Sequence, residues 1–294
     1  MRVVYVVLML FLSSALFAKG DLIVFDIPNA NRSISASDVQ RAFVKNGFGV
    51  VVDSEMVGAF VKQFEKSEYE IFTLLGVFHE SISEELVTKH AEFGVFTPVG
   101  VGIYQAKGED TLHLSMLSGD ALRKISGVDD ALVDELSSKM QASVTFAGAK
   151  KRYASEPIAV EEPLITRYEA DGEMELDDLL FLLNGGFSVN GFVSPASFDL
   201  GDRVDGFDFY KTISVCKLPV IYTVALSNPE ASAFAPCALA IYKKSGEDKI
   251  VLQFPSVYNW IASAAISSDE AISVLHTAQE QFEEILGEVG EASE

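Results

Sequence analysis

Two cysteines, Cys216 and Cys237, are the residues of this chain best equipped for chemistry. One ends a β-like run and the other opens a later one, with a short connection between them, so the topology can bring them together. Three readings stay open. A disulfide would close a loop of about 20 residues and contribute about 3 kcal/mol by chain entropy. A buried pair of thiols would pack as small apolar side chains. A redox-active or metal-binding pair would suit a soft ion such as Cu(I), or a haem iron, although no CxxC spacing and no second ligand pair accompany it. Apart from this pair, no cofactor is evident.

The remaining chemistry-bearing residues carry weaker signals. His79 and His90 bracket a short helical stretch with Glu84, Glu85 and Glu92 nearby, a spacing that reads as surface rather than metal site. His113 alternates with Leu112 and Leu114, which predicts a solvent-facing position on a strand. His276 lies off the apolar stripe of its helix. Val99-Gly100-Val101-Gly102 has neither the third glycine nor the following helix of a dinucleotide loop, and its small residues predict close strand packing. Phe254, Tyr258 and Trp260 cluster after a strand and suit a core, an interdomain contact or the wall of a ligand cleft. The chain has no phosphate-binding loop, nucleophile elbow, zinc-protease helix or calcium loop. No catalytic residue is assigned.

The elements that position these residues occur twice. Phe96 to Asp110 (FTPVGVGIYQAKGED) recurs 138 residues on as Phe234 to Asp248 (FAPCALAIYKKSGED), and the match extends without a gap from Tyr69–Leu114 to Phe207–Leu252. Asn46 to Val50 (NGFGV) is paired with Gly185 to Val189 (GGFSV). In each copy the pattern predicts a strand, a capped helix, two further strands separated by a gap, a short helix, a hairpin and a closing helix. Strands are expected over 22–27 and 164–168, and a strand over 187–193 in the second copy. The hairpins turn at Gly108 and at the equivalent GED. The last helix carries the clearest apolar stripe, with Ser267 and Glu270 as its capping box. The domains are read as 19–149 and 164–286, joined by a polar linker, 150–163, and followed by an acidic, frayed tail, 287–294.

The ends and the charge bound the setting. Met1-Arg2 followed by the apolar run Val3 to Ala18 reads as a signal peptide, residues 1–18, too short to span a bilayer comfortably. That predicts an exported protein, periplasmic or secreted from a bacterium, with no membrane span after cleavage. The chain has 22 basic and 43 acidic residues, so its surface repels nucleic acid and anionic lipid. Lys150-Lys151-Arg152 is a single small basic cluster.

The segments ISVCKLP (Ile213 to Pro219) and APCALAIYKKSGEDKIVL (Ala235 to Leu252) resemble the domain of unknown function 302 family. That family shows a strand ending in a Cys-x-Pro-like turn, a short helix, and a Pro-Cys strand running into a tyrosine-bearing hairpin. Pro236-Cys237 and Tyr242 stand at the corresponding places, while Cys216 to Pro219 has one extra residue in the turn. The resemblance implies an α+β fold, each copy an antiparallel sheet backed by helices of the TATA-box-binding-protein-like type. It directs attention to Cys216, Pro236, Cys237 and Tyr242, and it brings no activity with it. Copy one has Phe78 and Val99 where copy two has its cysteines, so a cysteine site would belong to copy two alone.

The sequence therefore predicts a non-catalytic exported binder of a small molecule or a protein partner, using a sheet face or the groove between copies. A thiol- or metal-dependent redox or sulfur-handling protein and a structural envelope assembly protein are the alternatives.

Overall fold

Period-two alternation of apolar residues produces the strands, and in the computed structural model, which describes residues 20–293, they fall into two sets. The signal peptide expected over 1–18 lies outside the described residues. Copy one runs β1 (Leu22–Pro28), α1 (Ala36–Lys45), β2 (Phe48–Glu55), α2 (Val57–Phe64), β3 (Tyr69–His79), α3 (Glu80–Lys89), a 3-10 turn (Ala91–Phe96), β4 (Val99–Ala106), β5 (Thr111–Leu117), α4 (Gly119–Ser126), α5 (Ala131–Ala142) and β6 (Lys150–Tyr153). Copy two runs β7 (Ile165–Asp171), α6 (Leu176–Val189), β8 (Val193–Asp199), β9 (Phe207–Cys216), α7 (Leu218–Ala225), a 3-10 turn (Pro229–Phe234), β10 (Cys237–Lys244), β11 (Lys249–Pro255), α8 (Tyr258–Ala264), α9 (Asp269–Gly287) and β12 (Glu291–Ala292).

The sheet orders are β2-β3-β4-β5-β1-β6 and β8-β9-β10-β11-β7-β12, antiparallel throughout, so every strand of one copy has its counterpart in the other. The architecture is the expected α+β arrangement of two repeated units, each an antiparallel sheet backed by helices.

Local chemistry explains the boundaries. Ser35 and Asp38 form a capping box at the start of α1. Asn46-Gly47 stops that helix, with Gly47 at φ +88°. The equivalent stop in copy two is Asn190-Gly191, with Gly191 at φ +73°, and Phe192 follows it as Phe48 follows Gly47. The pairing of Asn46–Val50 with Gly185–Val189 is therefore corrected. Gly185-Gly186 lies inside α6, whose run Leu179, Leu183, Phe187 buries one helical face and carries the helix past both glycines. The strand expected over 187–193 begins only at Val193. Copy two also lacks a counterpart of α2; a loop stands between β8 and β9.

Two edges of the domain boundaries read differently in the structure. Lys150–Tyr153, placed in the linker by its polarity, is an edge strand paired with β1, and Glu291–Ala292 in the acidic tail pairs with β7. Charged residues are common on edge strands, which makes them resemble linkers in sequence. The cap of α9 is Ser268, one residue later than expected.

The copies lock together reciprocally. The 3-10 turn of each packs on the sheet of the other: Pro229–Phe234 on β4 and β5, Ala91–Phe96 on β10 and β11. Gly100 and Gly102 make this approach possible. A Cβ on Gly100 would stand 2.3 Å from the Ala233 carbonyl oxygen, and one on Gly102 would stand 1.9 Å from the Ser232 Oγ. Those small residues thus serve contact between copies, and Gly102 also serves the expected close packing of strands, since its Cβ would stand 2.5 Å from the Ser115 Oγ of β5. The Tyr210 hydroxyl donates to the Ala91 carbonyl at 2.5 Å, and the Tyr69 hydroxyl donates to that of Ala225. The sheet face expected as a binding surface is consequently covered, each copy by the other.

His113 sits on this covered face and is buried at 9 % exposure, not solvent-facing as its alternation with leucines suggested. Its Nδ1 lies 2.7 Å from Asp26 and its Nε2 2.8 Å from Glu109, while its ring stacks on Tyr104. Arg152 donates to Asp26 at 2.8 Å and so ties β6 to β1. Burial pushes the Asp26 carboxyl up, but the hydrogen bonds and charges of Arg152 and His113 outweigh it and hold the group below the usual carboxylate range. A carboxylate depressed in the folded state stabilises fully above its unfolded value of about 3.9 and loses that contribution as pH falls through the folded value. Stability measured by urea unfolding is expected to fall below about pH 4, and Asp26→Asn is expected to flatten that part of the curve; an unchanged acid limb would contradict it.

Candidate functional site

The cysteines are brought to one place by β9 and β10. Cys237 stands opposite Val215, so Cys216 is one residue beyond the pair, at the strand end. Leu218 starts α7 and Pro219, in its first turn, suits the helix start because its missing N–H would be unpaired there. The apolar stripe of α9 closes over β10 and β11, and a cavity of about 50 Å³ remains between them. Phe192, Val220, Phe254, Leu275 and Phe282 line it with both cysteines. Phe282 stacks on Phe187 and packs at 4.2 Å against Phe254.

A groove of about 780 Å³ lies outside this chamber, between the copies. Copy one contributes Asp53, Glu55 and Met56 from the end of β2 and the start of α2; copy two contributes Val193 and Pro195 from β8 and Leu218 from α7. Cys216 and Lys217 line both the groove and the chamber and form the boundary between them. The pseudo-symmetric position is closed. There Phe78, the counterpart of Cys216, packs on Phe198 of the other copy with ring centroids 4.6 Å apart, and Arg203 lies over both rings. At the groove that packing is missing on both sides: Cys216 stands where Phe78 stands, and copy one lines the groove without an aromatic ring.

Both cysteines are free thiols. Cys216 is buried; Cys237 keeps partial exposure, and it lines the chamber. Burial pushes both thiols up, Cys237 to about 12, against a smaller lowering by the Trp260 indole. That N–H has no hydrogen-bonded partner while it acts on the Cys237 sulfur, which describes a donor aimed at the sulfur without closing a bond. High thiol values disfavour the thiolate that redox exchange and metal ligation require. Among the described residues no group of three or more His, Cys, Asp and Glu is placed to hold a metal ion. The two sulfurs stand in an apolar chamber whose burial favours the thiol over the thiolate. Native protein at pH 8 is therefore expected to take up iodoacetamide on neither cysteine within minutes, and on both after unfolding without reductant; rapid native labelling would contradict the burial argument, and labelling that needs reductant would mean a disulfide.

Of the other sequence candidates, Pro236 is buried and follows a cis Ala235–Pro236 bond at the chamber's edge, and Thr97–Pro98 is cis at the equivalent place of copy one. Tyr242 stands at the far end of β10, stacked on Tyr210 at 5.0 Å, and is not brought to the cysteines. His90 lies 3.3 Å from Asp130. Phe254 and Trp260 belong to the chamber; Tyr258 packs on His276. Lys217, Phe192 and the copy-one side of the groove escaped the sequence reading. A groove between the copies was an expected binding surface; its place was not legible, because the local sign of it, Cys216 where copy one has Phe78, cannot be interpreted without knowing that β3 and β9 end at the junction of the copies.

No protein-family profile matches the chain, and no curated protein matches it. Among solved structures the chain is similar to an uncharacterized conserved protein, DUF302, from Bacillus stearothermophilus, at 16% sequence identity and a TM-score of 0.36, covering 42% of this chain and 97% of that one. Among the described residues no helix is long and apolar enough to cross a membrane.

Proposed function

We propose that this is an exported, non-catalytic binding protein that takes a small apolar molecule from the groove between its copies into the chamber of copy two. The observation that carries this reading is that the groove and the chamber share Cys216 and Lys217 in their walls, which puts the apolar chamber directly beside the wide groove. Ligand sites are commonly apolar concavities at domain junctions with few polar groups, and this one has that composition. Export rests on Met1-Arg2 and the apolar run after it.

The chain has one tryptophan, Trp260, and it lines the chamber. Titration with hexanol, followed by tryptophan emission, is expected to give a saturable change at millimolar concentration or below. A change that grows linearly without saturation, as for a solvent effect, would overturn the reading.

A further inference from the structure

No ion pair engages Lys217 among the described residues, nor Lys151, which donates to Gln141 and lies over Tyr153; but Lys151 is exposed, whereas Lys217 is half-buried. Ion pairs with carboxylates engage Lys89, Arg123, Lys124 and Arg203. Lys217 instead extends over the Phe192 ring, 4.8 Å from its centroid, and donates to the Gln281 side-chain oxygen. Burial lowers it from the ordinary lysine range, and no neighbouring acid offsets that. A half-buried ammonium without a carboxylate, at the mouth of an apolar chamber, is a charge lacking its counter-charge.

The chamber's own polar groups point the same way. The Trp260 N–H, on a side chain 3 % exposed, faces the Cys237 sulfur without closing a hydrogen bond to it. Gln279 offers an acceptor oxygen, but the Val257 N–H already occupies it at 3.0 Å. Beyond the second lone pair of that oxygen and the two weakly accepting sulfurs, the polar side chains of the lining present donors, with the Lys217 ammonium the strongest of them. A molecule that brings acceptors and no donors meets those needs; an amine would add a second ammonium beside Lys217.

Resting on the binding role proposed above, we infer that the ligand is a short aliphatic carboxylate, its apolar body in the chamber and its carboxylate on Lys217 at the mouth. The cavity of about 50 Å³ has room for only part of a chain, so the carboxylate end stays at the rim, where the groove is wide. Keeping the anion at this boundary avoids the cost of burying it among Phe254, Leu275 and Phe282.

Hexanoate, hexanol and hexylamine share one body and differ at the head, so their titrations separate the two claims. On the whole mature protein, with Trp260 emission as readout, hexanoate is expected to bind at least tenfold more tightly than hexanol, and hexylamine more weakly than either. Lys217→Met is expected to bring the hexanoate-to-hexanol ratio to about one, and Lys217→Arg, which keeps the charge, to retain most of the preference. Equal affinity of the acid and the alcohol in the native protein would overturn the carboxylate assignment while leaving the binding role intact. Failure of all three to bind would overturn the binding role itself. A preference that survives Lys217→Met would show that another group holds the head. Circular dichroism and melting temperature of each variant guard against a loss that merely reports misfolding.

Discussion

Cys216→Phe is expected to weaken binding of hexanol and hexanoate at least tenfold while leaving the protein folded. The substitution copies what copy one already has. Phe78 at the counterpart position is 5 % exposed and closes the junction by packing on Phe198. At position 216 a ring would stand in the wall shared by groove and chamber, beside the groove's Met56 and Leu218, where the proposed ligand must pass. A tenfold loss corresponds to about 1.4 kcal/mol. Cys237→Val, which also installs the copy-one residue, removes a thiol but changes volume little, so its effect on affinity is expected to stay within about threefold. Equal losses for the two variants would point to thiol chemistry. No loss for Cys216→Phe would mean that ligands do not enter by this route. The comparison needs only tryptophan emission and a melting curve for each variant.

Gly100→Ala is expected to be strongly destabilising for the addition of a single methyl. Its Cβ would meet the Ala233 carbonyl oxygen at 2.3 Å, and that oxygen belongs to backbone of the other copy, so it cannot rotate aside. Overpacking in a closed core costs about 1–3 kcal/mol, and rigid backbone places this site at the upper end. The damage should be of a particular kind: the copies should part, and unfolding should lose its single cooperative transition. Gly185→Ala supplies the contrast. That glycine is in α6 with nothing within 4 Å of its Cβ position, so alanine should stabilise by about 0.5–1 kcal/mol through helix propensity. If calorimetry found Gly100→Ala as cooperative and as stable as the native protein, the reciprocal packing of turns on sheets would not be what joins the copies.

These two expectations mark where the sequence could and could not be read. Repetition was legible from Phe96 to Asp110 and its copy, because hairpins need the same turn glycine and the same alternation in both places. Each copy's closing helix was legible from its period. The failures have a common cause, namely that polarity and short motifs are local while their roles are set by contact between distant segments. Gly185-Gly186 resembled a helix stop, but the stop is Asn190-Gly191, and only burial of Leu183 and Phe187 under α9 keeps the helix running between them. His113 alternated with leucines and so resembled a surface residue; the other copy's 3-10 turn covers its face and Asp26 partners it. Lys150–Tyr153 was polar enough to pass for a linker, since an edge strand can carry charge. For the site, the cysteines were legible as candidates and as belonging to copy two. Their surroundings were not. Lys217, Phe192 and Met56 come from separate elements, and nothing in their local sequence announces that they meet around one opening.

The apolar chamber explains the high thiol values, the Trp260 N–H with only a sulfur to face and the half-buried Lys217 without a carboxylate together, so its accessibility to ligand is the claim on which the account stands. It can be tested with one brominated ligand. Bromine quenches tryptophan emission only at contact range, and Trp260 is the chain's single tryptophan, 3 % exposed to bulk water. Titration of the native protein with 6-bromohexanoate is predicted to quench this emission along a saturating curve that unbrominated hexanoate reverses by competition. Quenching no stronger than that of a fully shielded tryptophan, or a linear response that hexanoate leaves unchanged, would contradict entry of ligand into the chamber.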